Sequence, residues 1–263
     1  MKFPAIRSVA ALLALAVATP TITLAVTEAE AVAGRALMKR YADTIVGVEL
    51  VVTLKGMQGE RALPPREQKV EINGTLVNAK GLTVLSLAAI DPRGTLPPAL
   101  MAQIRFDEPE FKEVKLRLTD GTEIPARVVL KDADLDLAFI APVPESVPAA
   151  ALPFVDLANH ADAAVLANYY NVARAPKLQQ RVPTVRTVYL TGMIEKPRRF
   201  LLASEYNPGC PSFAADGKVL GISLRHVAGG QSTGNIILPA EDVAEIAKEA
   251  ALKAEAAEAP KAP

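Results

Sequence analysis

The sequence predicts an all-β chain, arranged as a double β-barrel and closed by a C-terminal α-helix. Three observations carry that expectation. Short β-branched or alternating segments recur at near-regular spacing, bounded by Gly, Pro and Asp-Gly turns. A single helical stripe closes the chain, with Pro239 ahead of it and Val243, Ile246 and Ala247 on one face. The length of 263 residues, half of them hydrophobic, supports a substantial core in one large domain or two small ones.

In chain order, "TEAEAVAGRALMKRYADT" (27–44) has apolar positions three and four apart and predicts a short helix. "IVGVELVVTL" (45–54) is a β-branched strand, and "KGMQGERALPPREQK" (55–69) is a Gly/Pro-rich charged loop. "VEINGTLVN" (70–78) and "LTVLSLAAI" (82–90) read as strands, and "VKLRLTDGTEIPARVVL" (114–130) as a hairpin turning at Asp120-Gly121. A proline-bearing insertion runs from Asp91 to Glu113. Further strands are expected at "LDLAFIAP" (135–142), "AAVLANYY" (163–170), "VRTVYLTGMI" (185–194), "RRFLLAS" (198–204), "KVLGISLR" (218–225) and "GNIILPA" (234–240). The helix begins at Glu241, and residues 251–263, rich in Ala and Pro, are expected to form a flexible tail.

Composition narrows the function classes. With 29 basic and 29 acidic residues there is no electrostatic footprint for nucleic acid. Tryptophan is absent and aromatics are few, which disfavours a base- or sugar-stacking surface. Lys2 and Arg7 precede the apolar run Val9 to Ala18, and Ala16-Val17-Ala18 offers small residues for cleavage. Residues 1–18, or alternatively up to about 25, therefore read as a signal peptide, and the protein as exported, periplasmic or secreted. A membrane contact is expected only if that segment is not cleaved. The lone cysteine, Cys210, allows no internal disulfide. No His/Cys/Asp/Glu spacing predicts a metal and no Gly-rich loop a phosphate, so no cofactor is expected. "KPRR" (196–199) reads as a solvated basic turn, and "NGT" at Asn73 matches a glycosylation acceptor.

Several segments then occur in a familiar order. "GTLVNAKGLTVLSLAAI" resembles the strand-turn-strand that reads G-x-I-I-x-x-x-G-Y-I-L-T-N-N-H-V-I in the HtrA family of trypsin-like serine proteases. "VKLRLTDGTEIPARVVLKDADLDLAFI" is similar to that family's next hairpin and the strand bearing its triad aspartate, and "DGKVLGI" and "GNIILPAEDV" to the end of its protease domain. The likeness covers residues 36–250 and implies a trypsin-like double β-barrel. No PDZ segment follows within these 263 residues.

Acyl transfer of the kind the resemblance implies needs a nucleophile, an imidazole base, an orienting carboxylate and N–H donors for the oxyanion. Ala88 stands where the family has its histidine. Asp136 stands at the triad aspartate, with hydrogen bonding to nearby backbone N–H groups as its expected structural role. Counting back without gaps from Asp216-Gly217, Pro208 takes the nucleophile position; anchored on the family's N-P-G-N-S, Pro211 takes it instead. Proline has no N–H to lend an oxyanion hole. Cys210 and Ser212 are the alternative nucleophiles, a thiolate needing a neighbour that lowers its pKa. His226 and His160 lie far along the chain from the base position, and both read as ordinary strand-end or surface histidines. Loss of base or nucleophile alone costs a serine hydrolase on the order of 10⁶ in turnover. Three readings follow: a pseudoprotease binding peptides or unfolded protein segments, an atypical serine or cysteine hydrolase, and a structural envelope protein. Self-association into a homo-oligomer is implied by the resemblance.

Overall fold

The computed structural model describes residues 27–256 except 92, 94, 95, 97, 206, 229 and 230, and for 98, 226–228 and 231–233 the backbone alone. The expected signal segment and residues 257–263 lie outside it. Six strands close the first barrel in the order β1 (Ile45–Leu54), β4 (Arg66–Leu76), β5 (Thr83–Ser86), β9 (Leu137–Pro142), β8 (Glu123–Asp132) and β7 (Glu110–Arg117). Six more close the second: β10 (Asn168–Arg174), β11 (Pro183–Ile194), β12 (Phe200–Ala203), β15 (Gln231–Pro239), β14 (Val219–Ala228) and β13 (Pro211–Phe213). All pairings within both barrels are antiparallel. Two closed six-stranded barrels with a C-terminal helix α4 (Ala240–Ala256) form the double-barrel architecture that the sequence predicts.

Each barrel has its own apolar interior, built by alternation along its strands. Val46, Val48, Leu116 and Ile140 fill the first, and Val188, Leu190, Leu201 and Ile237 the second. A third and larger cluster, including Phe139, Val172, Phe213 and Leu238, lies between them and joins the barrels into one body.

The helices brace that seam. α1 (Glu28–Tyr41) starts at a Thr27/Glu30 capping box, with acids in its first turn and Lys39 and Arg40 in its last, as the helix dipole favours. It precedes the first barrel in sequence but packs on the second. An added Cβ at Gly34 would lie 3.4 Å from Tyr170. Tyr41 stacks on Phe213 at 4.0 Å and donates its hydroxyl to the Gly217 carbonyl at 2.8 Å. α4 lies against strands of both barrels and buries Val243 and Ala250.

Several local expectations are corrected. "LTVLSLAAI" is a strand only to Ser86; Leu87–Ile90 form one helical turn, α2, which Ser86 caps by accepting from the Ala89 N–H. The strand expected at 163–170 starts at Asn168 and continues to Arg174. The loop 55–69 contributes β2 (Gly56–Gln58) and β3 (Arg61–Ala62), and the insertion 91–113 contributes a short helix α3 (Pro98–Gln103) and β6 (Arg105–Phe106); β2, β3 and β6 form a small separate sheet. The expected tail at 251–263 is helical to Ala256, because Ala251 and Ala254 still pack on the core.

Candidate functional site

Asp136 ends the turn before β9, in a left-handed conformation with φ 57°, and is 2% exposed. Its carboxylate takes three donors. Oδ1 accepts from the Ala88 N–H at 2.6 Å; Oδ2 accepts from the Ser86 hydroxyl at 2.7 Å and the Arg225 N–H at 2.8 Å. Its own carbonyl accepts from Leu87 N–H at 2.9 Å, so Asp136 holds the first two residues of α2. Ser86 and Ala88 belong to the first barrel and Arg225 to the second, so the carboxylate bridges the seam. Burial pushes its pKa above the usual aspartate value, the three hydrogen bonds and the Arg225 charge opposing it without cancelling it. Ala88, on α2, offers only a methyl group where the resemblance requires a base.

Facing this corner is the turn Asn207–Cys210. The Cys210 N–H donates to the Asn207 carbonyl at 3.1 Å, and Gly209 has φ 77°, which with Pro208 at the second position describes a type II turn. The turn is pressed onto the first barrel: a Cβ on Gly209 would lie 2.8 Å from the Asn73 carbonyl oxygen and 3.1 Å from Leu85 Cα. Thr75 donates its hydroxyl to the Gly209 carbonyl at 2.6 Å. The Gly209 N–H donates to the Ser223 carbonyl at 2.8 Å, and Ser223 N–H returns a bond to the Cys210 carbonyl at 2.9 Å. Pro208 has no N–H. Within Pro208–Cys210, then, every backbone donor is engaged inside the protein.

Pro211 starts β13, buried and opposite Ile222, whereas Pro208 sits at the half-buried corner of the turn. The gapless count therefore puts the nucleophile position on a half-buried turn corner, and the alternative count puts it inside a strand.

Cys210 is fully buried, and desolvation pushes its thiol up to about 12, so it supplies no thiolate near neutral pH. Ser212 is also fully buried, and its hydroxyl accepts from Asn171 Nδ2 at 3.2 Å. Asn171 also reaches the Pro211 carbonyl at 3.0 Å and the Ser223 hydroxyl at 3.2 Å, and takes a bond from Asn207 Nδ2 at 2.7 Å. This network holds the turn from behind. Both alternative nucleophiles, Cys210 and Ser212, are thus fully buried.

His160 is placed elsewhere, its Nδ1 3.5 Å from Glu241 at the start of α4. His226 lies on β14 opposite Gly234; its side chain lies outside the described part. No imidazole among the described side chains meets Asp136. The basic turn at 196–199 pairs with α4, Arg199 lying 3.6 Å from Glu241. Asn73 donates its amide to the Arg174 carbonyl at 2.8 Å and is half-buried, so its side chain is engaged in the seam. Among the described residues, no group of three His, Cys, Asp or Glu side chains gathers as a metal site.

Ser86, Asn171 and Arg225 are the site residues that sequence reasoning missed. A capping pattern, Ser86 ahead of the short helix, was the one local signal available for them. Asn171 and Arg225 enter through long-range strand pairing alone.

No family model and no curated protein sequence matches the chain. Among solved structures, the MamO protease domain from Magnetospirillum magneticum, in its apo form, is similar over 79% of this chain and 97% of that one, at 16% sequence identity and a TM-score of 0.49.

Proposed function

We propose that this chain is a pseudoprotease: an exported, HtrA-like double barrel that binds extended segments of unfolded protein without hydrolysing them. The observation that carries the reading is the turn Asn207–Cys210. The N–H groups of Gly209 and Cys210 donate to the Ser223 and Asn207 carbonyls, and Pro208 has none, so Pro208–Cys210 leaves no backbone donor for an oxyanion. Ala88 in place of a base and the three donors on Asp136 agree with this, since the carboxylate is engaged without any imidazole.

Support for peptide binding comes from β14. Among the described residues, β14 beyond Ser223 pairs with β15 alone, which leaves its other edge without a strand. An extended peptide can add to such an edge through main-chain hydrogen bonds. Arg225 N–H is already held by Asp136, so the added strand would pair from His226 onward. The test is to incubate the purified chain with fluorescent unfolded casein and follow anisotropy and casein length together. Binding with casein recovered intact is expected. Absence of binding contradicts the binding role, and shortened casein contradicts the loss of chemistry.

A further inference from the structure

β4 is paired along the whole of one edge and bare along most of the other. β1 covers the first edge from Ile45↔Thr75 to Leu54↔Arg66 without a register shift. Among the described residues, the second edge pairs only at Thr75 and Leu76, with β5. At Asn73 the Asn207–Cys210 turn fills it, since a Cβ on Gly209 would lie 2.8 Å from the Asn73 carbonyl oxygen. From Ile72 back to Arg66 no strand follows among the described residues, and Arg66–Lys69 and Glu71 are exposed. The ladder dictates which residues turn outward. Val77 N–H donates to the Leu82 carbonyl at 2.8 Å, so Val77 directs its main-chain groups to the β5 side. Antiparallel pairing alternates, so Glu67, Lys69 and Glu71 direct their N–H and C=O groups to the same, open edge. Val70 and Ile72 pack on the barrel core, which puts the side chains of Glu67, Lys69 and Glu71 on the outer face.

The charges on that edge alternate in sign. Arg181 holds Glu71 at 2.6 Å and Lys112 lies 3.7 Å from Glu67, whereas Lys69 makes no ion pair among the described residues. An edge guarded against association carries charges that repel a second strand, usually lysines. Here an antiparallel copy of the same segment meets opposite signs. Centred on Gln68, the pairing sets Glu67 against Lys69 in both directions and Glu71 against Pro65. Pro65 has no N–H, so the ladder ends there, short of the crowded edge at Asn73. The same pairing covers apolar surface. Leu178, 98% exposed, lines a hollow of about 300 Å³ with Glu71, Ile72, Ala175 and Pro176. Pro64 and Pro65 of the second copy, exposed in the single chain, arrive beside Glu71 on that side.

We propose that two copies of this chain join edge to edge along β4, antiparallel about Gln68, with Glu67 of each copy against Lys69 of the other. Sedimentation velocity of the purified chain over a range of concentrations tests it. The sedimentation coefficient should rise with concentration to that of two chains. Lys69→Glu sets glutamates against each other at both pairs and should weaken association by about tenfold or more. The double variant Glu67→Lys with Lys69→Glu exchanges the signs and should restore it. Both side chains are exposed, so neither substitution disturbs the core. A single chain at every concentration overturns the proposal, as does association that Lys69→Glu leaves unchanged. Failure of the double variant to recover also overturns it, because Lys69 would then face a residue other than Glu67.

Discussion

Asp136 is the residue on which the two accounts of this chain, enzyme or scaffold, divide. In a working triad its removal would abolish turnover. Here its carboxylate holds Ser86, Ala88 and Arg225 across the seam, so Asp136→Ala leaves one buried and two half-buried donors without this partner. The expected loss is roughly 2–4 kcal/mol of unfolding free energy, measured by urea denaturation. The pH dependence of that loss has a definite sign. Burial raises the folded-state pKa above the unfolded value, so the folded state holds the proton more tightly between the two. The stability Asp136 contributes is then largest below the unfolded pKa and declines as pH rises through the folded one. The difference in stability between the native chain and Asp136→Ala should be greater near pH 3.5 than near pH 7. At the facing turn, Gly209→Ala combines φ 77° with a Cβ 2.8 Å from the Asn73 carbonyl oxygen. It should lower stability by at least about 2 kcal/mol in the same assay.

At the scale of elements, the site is fixed by what holds α2 and the Asn207–Cys210 turn in place. Restoring residue types alone leaves the turn's hydrogen bonds unchanged. Ala88→His combined with Pro208→Ser should still give no casein turnover, because Gly209 and Cys210 keep donating inward. Turnover in that double variant would show that the turn reopens freely. The elements also mark where sequence reading stops. Strands such as Ile45–Leu54 and Leu137–Pro142 were legible from β-branched runs, and the Asp120-Gly121 turn from its dipeptide. α2 was hidden because Leu87–Ile90 continues the apolar run of β5, and local pattern cannot tell a helical turn from the end of a buried strand. β13 was hidden by its Gly-Cys lead-in, its opening proline and its three-residue length. Bulges at Glu113 and Val129 leave no sequence trace, since they arise from registers set by distant partners. Missing residue types at the site were readable directly. The inward hydrogen bonding of the turn was not, because Asn171, Ser223 and Thr75 come from other strands.

Across the whole molecule, the barrels are tied by more than their shared core. Arg174, on β10, donates to the carbonyls of Ile45 at 2.9 Å, Ala42 at 2.7 Å and Arg181 at 3.1 Å, a seam bond set of one side chain on three backbone acceptors. Arg181 reaches Glu71 at 2.6 Å and Glu49 at 3.1 Å on the first barrel, while Arg117 also holds Glu49 at 2.6 Å. The Arg117 hydrogen bond and charge, with Arg181 and Lys177 nearby, keep the Glu49 pKa below its usual value despite burial. A depressed carboxylate contributes stability above its unfolded pKa and loses it as pH falls through the folded one. Glu49→Gln should therefore flatten the acid side of the stability curve below about pH 4.5, with a smaller effect in high salt. These ties and the continuous core make both barrels expected to unfold together in one transition.

Hydrolysis of unfolded casein by the purified chain, run beside Asp136→Ala, tests the loss of chemistry most directly. No cleavage by either protein is the predicted result, with Asp136→Ala distinguished only by its lower stability. Cleavage by the native chain that vanishes in Asp136→Ala, under conditions where the variant stays folded, would contradict it and make Asp136 part of a working catalytic apparatus.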